Sequence, residues 1–199
     1  MEISCPKNVL MKSIEDSCGL TAYSKTLRIN NINISTDIEY QKNYTNYYRV
    51  RRDEEWLKAY YTYMEKVKNR SDITFEEIIR YLSSIPHKVK VSSINPTGYA
   101  TTIEASFSSK MLATINPDYP IWDSQVVKAL GYSVDSTLTK EEKVLAYIKA
   151  YDGLKKEIDE FLVTDSGKKC IELFDTTFPN YSSISSCKKI DFYLWNIGK

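Results

Sequence analysis

Apolar positions recur with helical spacing along nearly the whole chain. From Thr101 to Ile115 there is no Gly or Pro, and Ile103, Phe107, Met111 and Ile115 stand four apart with Leu112 beside them, the spacing of one buried helical face. Asn116-Pro117 ends that helix, because proline disfavours helical backbone in the residue before it and has no N–H to donate. A second helix is predicted over Ser124 to Leu130. Asp123 is its cap and Gly131 its stop. Between the two lie Tyr119, Pro120, Ile121 and Trp122, a short turn whose large rings pin both helix ends to one core.

The same reading covers the rest of the chain. Thr36-Asp37 opens a long helical stretch reaching about Asn69, with a break near Arg52-Asp53. Thr74 with Glu77 forms a capping box for a helix carrying Phe75, Ile78, Ile79 and Leu82, which ends before Pro86. His87 to Val91 alternates like a strand, but with no evident partner it is read as extended loop, and His87 as a loop residue. Lys140 to Val163 reads as an amphipathic helix with mixed charge on its solvated side. Asp165-Ser166 introduces another that stops near Pro179, and Ser185 to Asn196 gives a last amphipathic helix that docks on the core. Residues 1–36 show weak periodicity and are expected to be an appendage or cover with one or two short helices. Residues 37–199 then form one all-α domain of seven to nine helices.

Composition narrows the chemistry. With 199 residues, 42% hydrophobic content and a net charge of +1, the chain can bury a core, and bulk electrostatics alone would not hold it on nucleic acid. Charge is uneven, however: Lys42, Arg49, Arg51, Arg52, Lys58, Lys66, Lys68 and Arg70 face only Asp53, Glu54, Glu55 and Glu65 in that stretch. The same stretch carries Tyr40, Tyr44, Tyr47, Tyr48, Trp56, Tyr60, Tyr61 and Tyr63. These rings either pack a core or, interleaved with Arg49, Arg51 and Arg52, stack on bases beside phosphate contacts. Arg51 and Arg52 could equally pair with Asp53, Glu54 and Glu55.

No apolar run is long enough for a bilayer and no secretion signal is evident, so a cytoplasmic protein without membrane contact is expected. Cys5, Cys18, Cys170 and Cys187 form no CxxC pair and there is one histidine. The four are therefore expected to be reduced thiols, with no metal site. Phosphate-cradling, dinucleotide and serine-elbow motifs are absent, and no cofactor is implied.

Lysine chemistry remains. A nucleophilic lysine must be neutral for part of the time, which needs burial or a neighbouring positive charge. Lys110 lies in a helix of low charge, with Ser106 and Phe107 one turn back. Its alternative role is to hold the two helices together, reaching Asp123, Glu104 or the carbonyls of the Asn116-Pro117 turn.

The run E-A-S-F-x-S-K-x-L-A-T-I-N-P-x-x-P-I-W-D, from Glu104 to Asp123, resembles a widespread group of small, helical, mostly uncharacterised bacterial proteins. That likeness extends from about Tyr40 to the C-terminus. More distantly, the unit is similar to helix-hairpin-helix DNA glycosylases of the 8-oxoguanine type. Their Gly-rich turn has its nearest equivalent here in Asn95-Pro96-Thr97-Gly98. The resemblance implies a glycosylase-like helical core acting on DNA, with Lys110 as Schiff-base nucleophile and Asp123 as its carboxylate. The candidate nucleic-acid contacts are then Arg49, Arg51 and Arg52 from the basic, tyrosine-rich stretch, with Ser106 and Tyr119. The alternative expectation is a non-catalytic helical module that binds nucleic acid or a protein partner, or serves a structural role.

Overall fold

The computed structural model describes residues 7–8, 10–11 and 19–198. It is all-α: nine α-helices lie within 19–198, with one two-stranded ribbon. Packing divides the chain into two compact units, Ala22–Ile115 and Met1–Thr21 with Asn116–Lys199. This division differs from the expected appendage over 1–36 and single domain over 37–199. Of the expected N-terminal cover, residues 1–6, 9 and 12–18 lie outside the described residues.

α1 (Gly19–Thr26) begins three residues ahead of the unit Ala22–Ile115 and runs into a 3-10 turn at Arg28–Asn31, and α2 (Ile38–Tyr48) follows. Asp37 caps α2 by accepting from the Tyr40 N–H. Tyr40, Tyr44 and Tyr48 recur every four residues and are buried, so this helix has an aromatic core face. The predicted break falls at Arg49, which takes the left-handed conformation (φ 53°) uncommon outside glycine. Asp53 restarts the chain as cap of α3 (Glu54–Val67), whose Trp56, Tyr60, Tyr61 and Met64 are buried.

α4 (Phe75–Leu82) is capped by Thr74 as expected. Only half the capping box forms, because the Glu77 carboxylate instead receives Arg70 at 2.6 and 3.0 Å and the Tyr63 hydroxyl at 3.2 Å. The loop expected after Pro86 is a strand. β1 (His87–Lys88) pairs antiparallel with β2 (Tyr99–Ala100). Its partner was hidden because it lies beyond the Asn95-Pro96-Thr97-Gly98 turn, where the Gly98 N–H closes on the Asn95 carbonyl at 3.2 Å.

That ribbon delays α5, which spans Ala105–Ile115 rather than starting at Thr101. Along it, 108–114 are all buried, so the helix is enclosed well beyond the single face that Ile103, Phe107, Met111 and Ile115 suggested. Its small hydroxyl residues make this tolerable. Ser108 Oγ donates to the Glu104 carbonyl at 2.8 Å, Ser109 Oγ to Ser106 at 2.9 Å and Thr114 Oγ1 to Lys110 at 2.8 Å, so no hydroxyl is buried at the cost of its hydrogen bond.

In the second unit the Asn116-Pro117 turn closes with the Tyr119 N–H on the Asn116 carbonyl. Ile121 and Trp122 are buried, and Trp122 meets Tyr132 and Tyr147 edge-on at 5.7 and 5.8 Å. α6 (Ser124–Ala129) ends at Leu130, and Gly131 has φ +74° as expected for a helix stop. α7 (Lys140–Leu162) begins with a complete capping box between Thr139 and Glu142, and Thr164 caps α8 (Asp165–Thr177).

α9 (Ser186–Ile197) is capped by Ser185, whose Oγ also donates to the Pro117 carbonyl at 2.6 Å. It is not the amphipathic helix expected: every residue from Cys187 to Leu194 is buried, including Lys188, Lys189 and Asp191. The charges are neutralised inside. Lys188 pairs with Asp191, and Lys189 reaches Asp175 at 2.6 Å and the Ser182 carbonyl at 2.7 Å. At its end α9 meets α6 so closely that a Cβ on Gly198 would lie 2.0 Å from the Gln125 carbonyl oxygen.

The cysteine expectation is corrected in part. Cys170 is disulfide-bonded, with its partner outside the described residues, whereas Cys187 is a buried free thiol. Spacing alone carried no signal of the bond. Among the described residues no helix is long and apolar enough to cross a membrane.

Candidate functional site

The expected site residues fall into both units, and each set is described within its own. In Ala22–Ile115, Lys110 occupies the middle of α5 and is 7% exposed. Helical side chains lean toward the N-terminal turn, and Lys110 does so. Its Nζ donates to Ser106 Oγ at 3.0 Å and stands 5.5 Å from the centroid of the Phe107 ring. Two of the expected contributors, Lys110 and Ser106, are therefore in direct contact.

The start of α5 is fixed by a clasp that sequence reading missed. Glu104, 4% exposed, accepts Arg52 Nε at 3.1 Å and the Arg52 terminal nitrogen at 2.8 and 3.0 Å on its two oxygens. Thr102 Oγ1 adds a 2.6 Å bond to the same carboxylate, and Ser83 Oγ accepts the Glu104 N–H at 3.1 Å. Such a two-pronged, charge-assisted pair is geometrically specific. The guanidinium also lies 5.0 Å from the Phe107 centroid and 5.8 Å from that of Trp56.

Arg52 is thus committed to Glu104, a residue far away in sequence, rather than to Asp53, Glu54 or Glu55. Asp53 itself accepts the Trp56 and Lys88 N–H groups. These bonds, with that from Lys88 the largest influence, hold its carboxyl below the usual range. Arg49 and Arg51 are exposed at the α2–α3 junction.

The tyrosines resolve toward the packing alternative. Tyr40, Tyr44, Tyr48, Tyr60, Tyr61, Tyr63 and Trp56 are all buried, and only Tyr47 of the set is partly open. Most of their hydroxyls are used internally: Tyr60 donates to the Phe107 carbonyl at 3.2 Å, so the 2.9 Å contact with Tyr44 has Tyr44 as donor. Tyr61 donates to the Gln41 carbonyl at 3.1 Å and accepts from Thr45 at 2.7 Å. Burial pushes the Tyr44 and Tyr60 phenols well up and that of Tyr61 to about 12, so they stay protonated donors at neutral pH. His87 is buried on β1, and its Nδ1 has no hydrogen-bond partner.

In the other unit Asp123 caps α6, accepting the Gln125 N–H at 3.0 Å. Tyr119 is half-buried, with Lys155 Nζ 5.4 Å from its ring centroid. Around Cys187, burial is the main influence that pushes the thiol well above its ordinary range, reinforced by Asp191 and opposed by Lys155 and Lys188. A groove of about 790 Å³ is lined by Leu162, Lys168, Ile171, Glu172 and Asp175 among others. Among the described residues no cluster of three or more His, Cys, Asp or Glu side chains could hold a metal ion.

Compared with protein-family models, curated proteins and solved structures, the chain matches none.

Proposed function

We propose that this chain acts on nucleic acid, with Lys110 as a Schiff-base nucleophile of the DNA glycosylase or abasic-site lyase type. The observation that carries the reading is the sheltered Lys110 amine, drawn back onto Ser106 and beside Phe107 in the middle of α5. Desolvation of that kind is how proteins prepare a lysine for attack on carbon. At an abasic site the neutral amine adds to the C1′ aldehyde and water leaves, giving the imine. On an intact nucleotide the same attack at C1′ expels the extruded base. The exposed Arg49 and Arg51 supply phosphate contacts. Asp123 as the partner carboxylate, and Tyr119 against the nucleotide, follow from the resemblance alone.

The test is borohydride trapping on DNA carrying an abasic site or 8-oxoguanine. A covalent adduct formed by the native chain and lost in Lys110→Ala supports the reading. No adduct on either lesion overturns it.

A second reading is a non-catalytic binding or structural module for nucleic acid or a protein partner. The commitment of the Arg52 guanidinium to Glu104 favours its structural and protein-partner forms, since the nitrogens that would grip a phosphate already hold a carboxylate. Salt-dependent DNA binding without any adduct would support it. A cytoplasmic location remains the proposal from sequence, and the Cys170 disulfide opposes it, since such bonds persist mainly in oxidising compartments. Alkylation of free thiols in living cells, followed by mass spectrometry of Cys170, decides between them.

A further inference from the structure

The groove of about 790 Å³ in the second unit is lined along its length by one stripe of α8. Lys168, Ile171, Glu172, Asp175 and Thr176 stand at i, i+3, i+4, i+7 and i+8, which is a single face of a helix over two turns. A separate face of α8 is spent on the core through Gly167, Cys170 and Phe174. Leu162, the last residue of α7, adds an apolar wall to the groove. Val163, which follows it, is 72% exposed.

The charges of this stripe are only partly used. Asp175 holds the buried Lys189 at 2.6 Å. Lys168 and Glu172 are exposed, and among the described residues neither side chain makes an ion pair or a hydrogen bond. Lysine ahead of glutamate at i, i+4 is the poorer order for a pair within one helix. A free carboxylate close to Asp175 disfavours a phosphate backbone or an anionic lipid surface in this groove. The surface that suits it carries one anion and one cation a helical turn apart, flanking apolar side chains. α8 is itself such a surface.

We infer that the groove is a self-association surface, in which α8 of one chain packs antiparallel against α8 of a second copy about a two-fold axis. Every contact in a two-fold interface occurs twice. An axis passing beside residue 170 sets Lys168 of each copy opposite Glu172 of the other. It also brings together the two Ile171 side chains, each one residue from the axis, while Asp175 stays with Lys189 of its own chain. The apolar contact supplies affinity, and the two ion pairs fix orientation and register more than they add strength. Neither Lys110 nor DNA enters this contact.

Sedimentation equilibrium of the full chain over a series of concentrations tests it, with Lys168→Glu and Glu172→Lys measured alone and in a one-to-one mixture. The native chain is expected to pass from one to two chains per particle as concentration rises. Each single reversal sets like charges opposite one another twice, and is expected to weaken association about tenfold or more. Mixed together, the two variants again offer opposite charges across the axis, and association is expected to return.

Both positions are exposed, so the reversals leave the core untouched. If either fails to fold by circular dichroism, Thr176→Arg, exposed on the same face, replaces it and is expected to weaken association by filling the groove. A chain that stays single at its highest soluble concentration overturns the inference and leaves the groove to a different protein. Association that no substitution on this face changes overturns it too, as does a loss in both reversals that the mixture does not restore. None of these outcomes depends on a DNA adduct, so failure of borohydride trapping is a separate result.

Discussion

The two units weight the problem of polar groups in a core differently. Between Ala22 and Ile115 one charged pair, Arg52–Glu104, and the Lys110 amine accompany a cluster of neutral phenols, in which a hydrogen bond passes from Tyr44 to Tyr60 to a backbone carbonyl. In the unit containing α9 the phenols of Tyr151 and Tyr193 are buried singly, and Lys188, Lys189 and Asp191 are all buried on one helix. A phenol needs one partner and costs little to desolvate. A buried ammonium costs several kcal/mol unless a carboxylate meets it. The tyrosine core should therefore degrade gradually on substitution and the ionic one abruptly.

The largest expected effect tests the ionic side. Asp191→Ala removes the carboxylate that Lys188 meets, and loss of one member of a buried pair costs about 3–5 kcal/mol. Thermal or urea unfolding of the variant against the native chain measures it, and a cost below that of a single phenol would break the contrast.

Alkaline pH tests the tyrosine side. The Tyr61 phenol titrates at about 12 in the fold, against 10.0 ordinarily. A raised folded value contributes stability that is intact below pH 10 and is lost as pH climbs through 12. Phenolate absorbance and helical circular dichroism are expected to change together across that window. Titration of the buried tyrosines near pH 10 without loss of helix would contradict it.

Tyr44→Phe removes one hydroxyl while Tyr60 keeps its bond to the Phe107 carbonyl, and the expected cost is about 1 kcal/mol. Smaller still is Asp123→Asn, since asparagine caps a helix nearly as well as aspartate. A stability change within about 0.5 kcal/mol is expected. A much larger loss in unfolding measurements would mean that Asp123 does more than cap α6.

These expectations rest on features that were unequally visible in the sequence. Breaks and caps were legible: Pro117, Gly131, Asp37, Asp123 and the Arg52-Asp53 interruption each act through their own backbone or the next turn. The β1–β2 ribbon was not, because its strands are two residues each and meet across a turn. The Arg52–Glu104 clasp was equally hidden, since nothing in local spacing joins positions so far apart. α9 misled for a physical reason. Its apolar residues read as one docking face, and only the pairing of Lys188 with Asp191 and the placement of Asp175 and Ser182 around Lys189 show how the charged residues between them are buried as well. The site was legible in part: Lys110 with Ser106 follows from helical periodicity, while the Phe107 ring shared by two cations does not.

The relay from Tyr44 through Tyr60 also sets a clock. Its hydroxyl protons are enclosed, point one way along the chain of donors, and can be traded for deuterium only when the aromatic core opens. Their resonances in a proton spectrum, and the time each takes to vanish after transfer to heavy water, would report the opening of Ala22–Ile115 from within, with no label added.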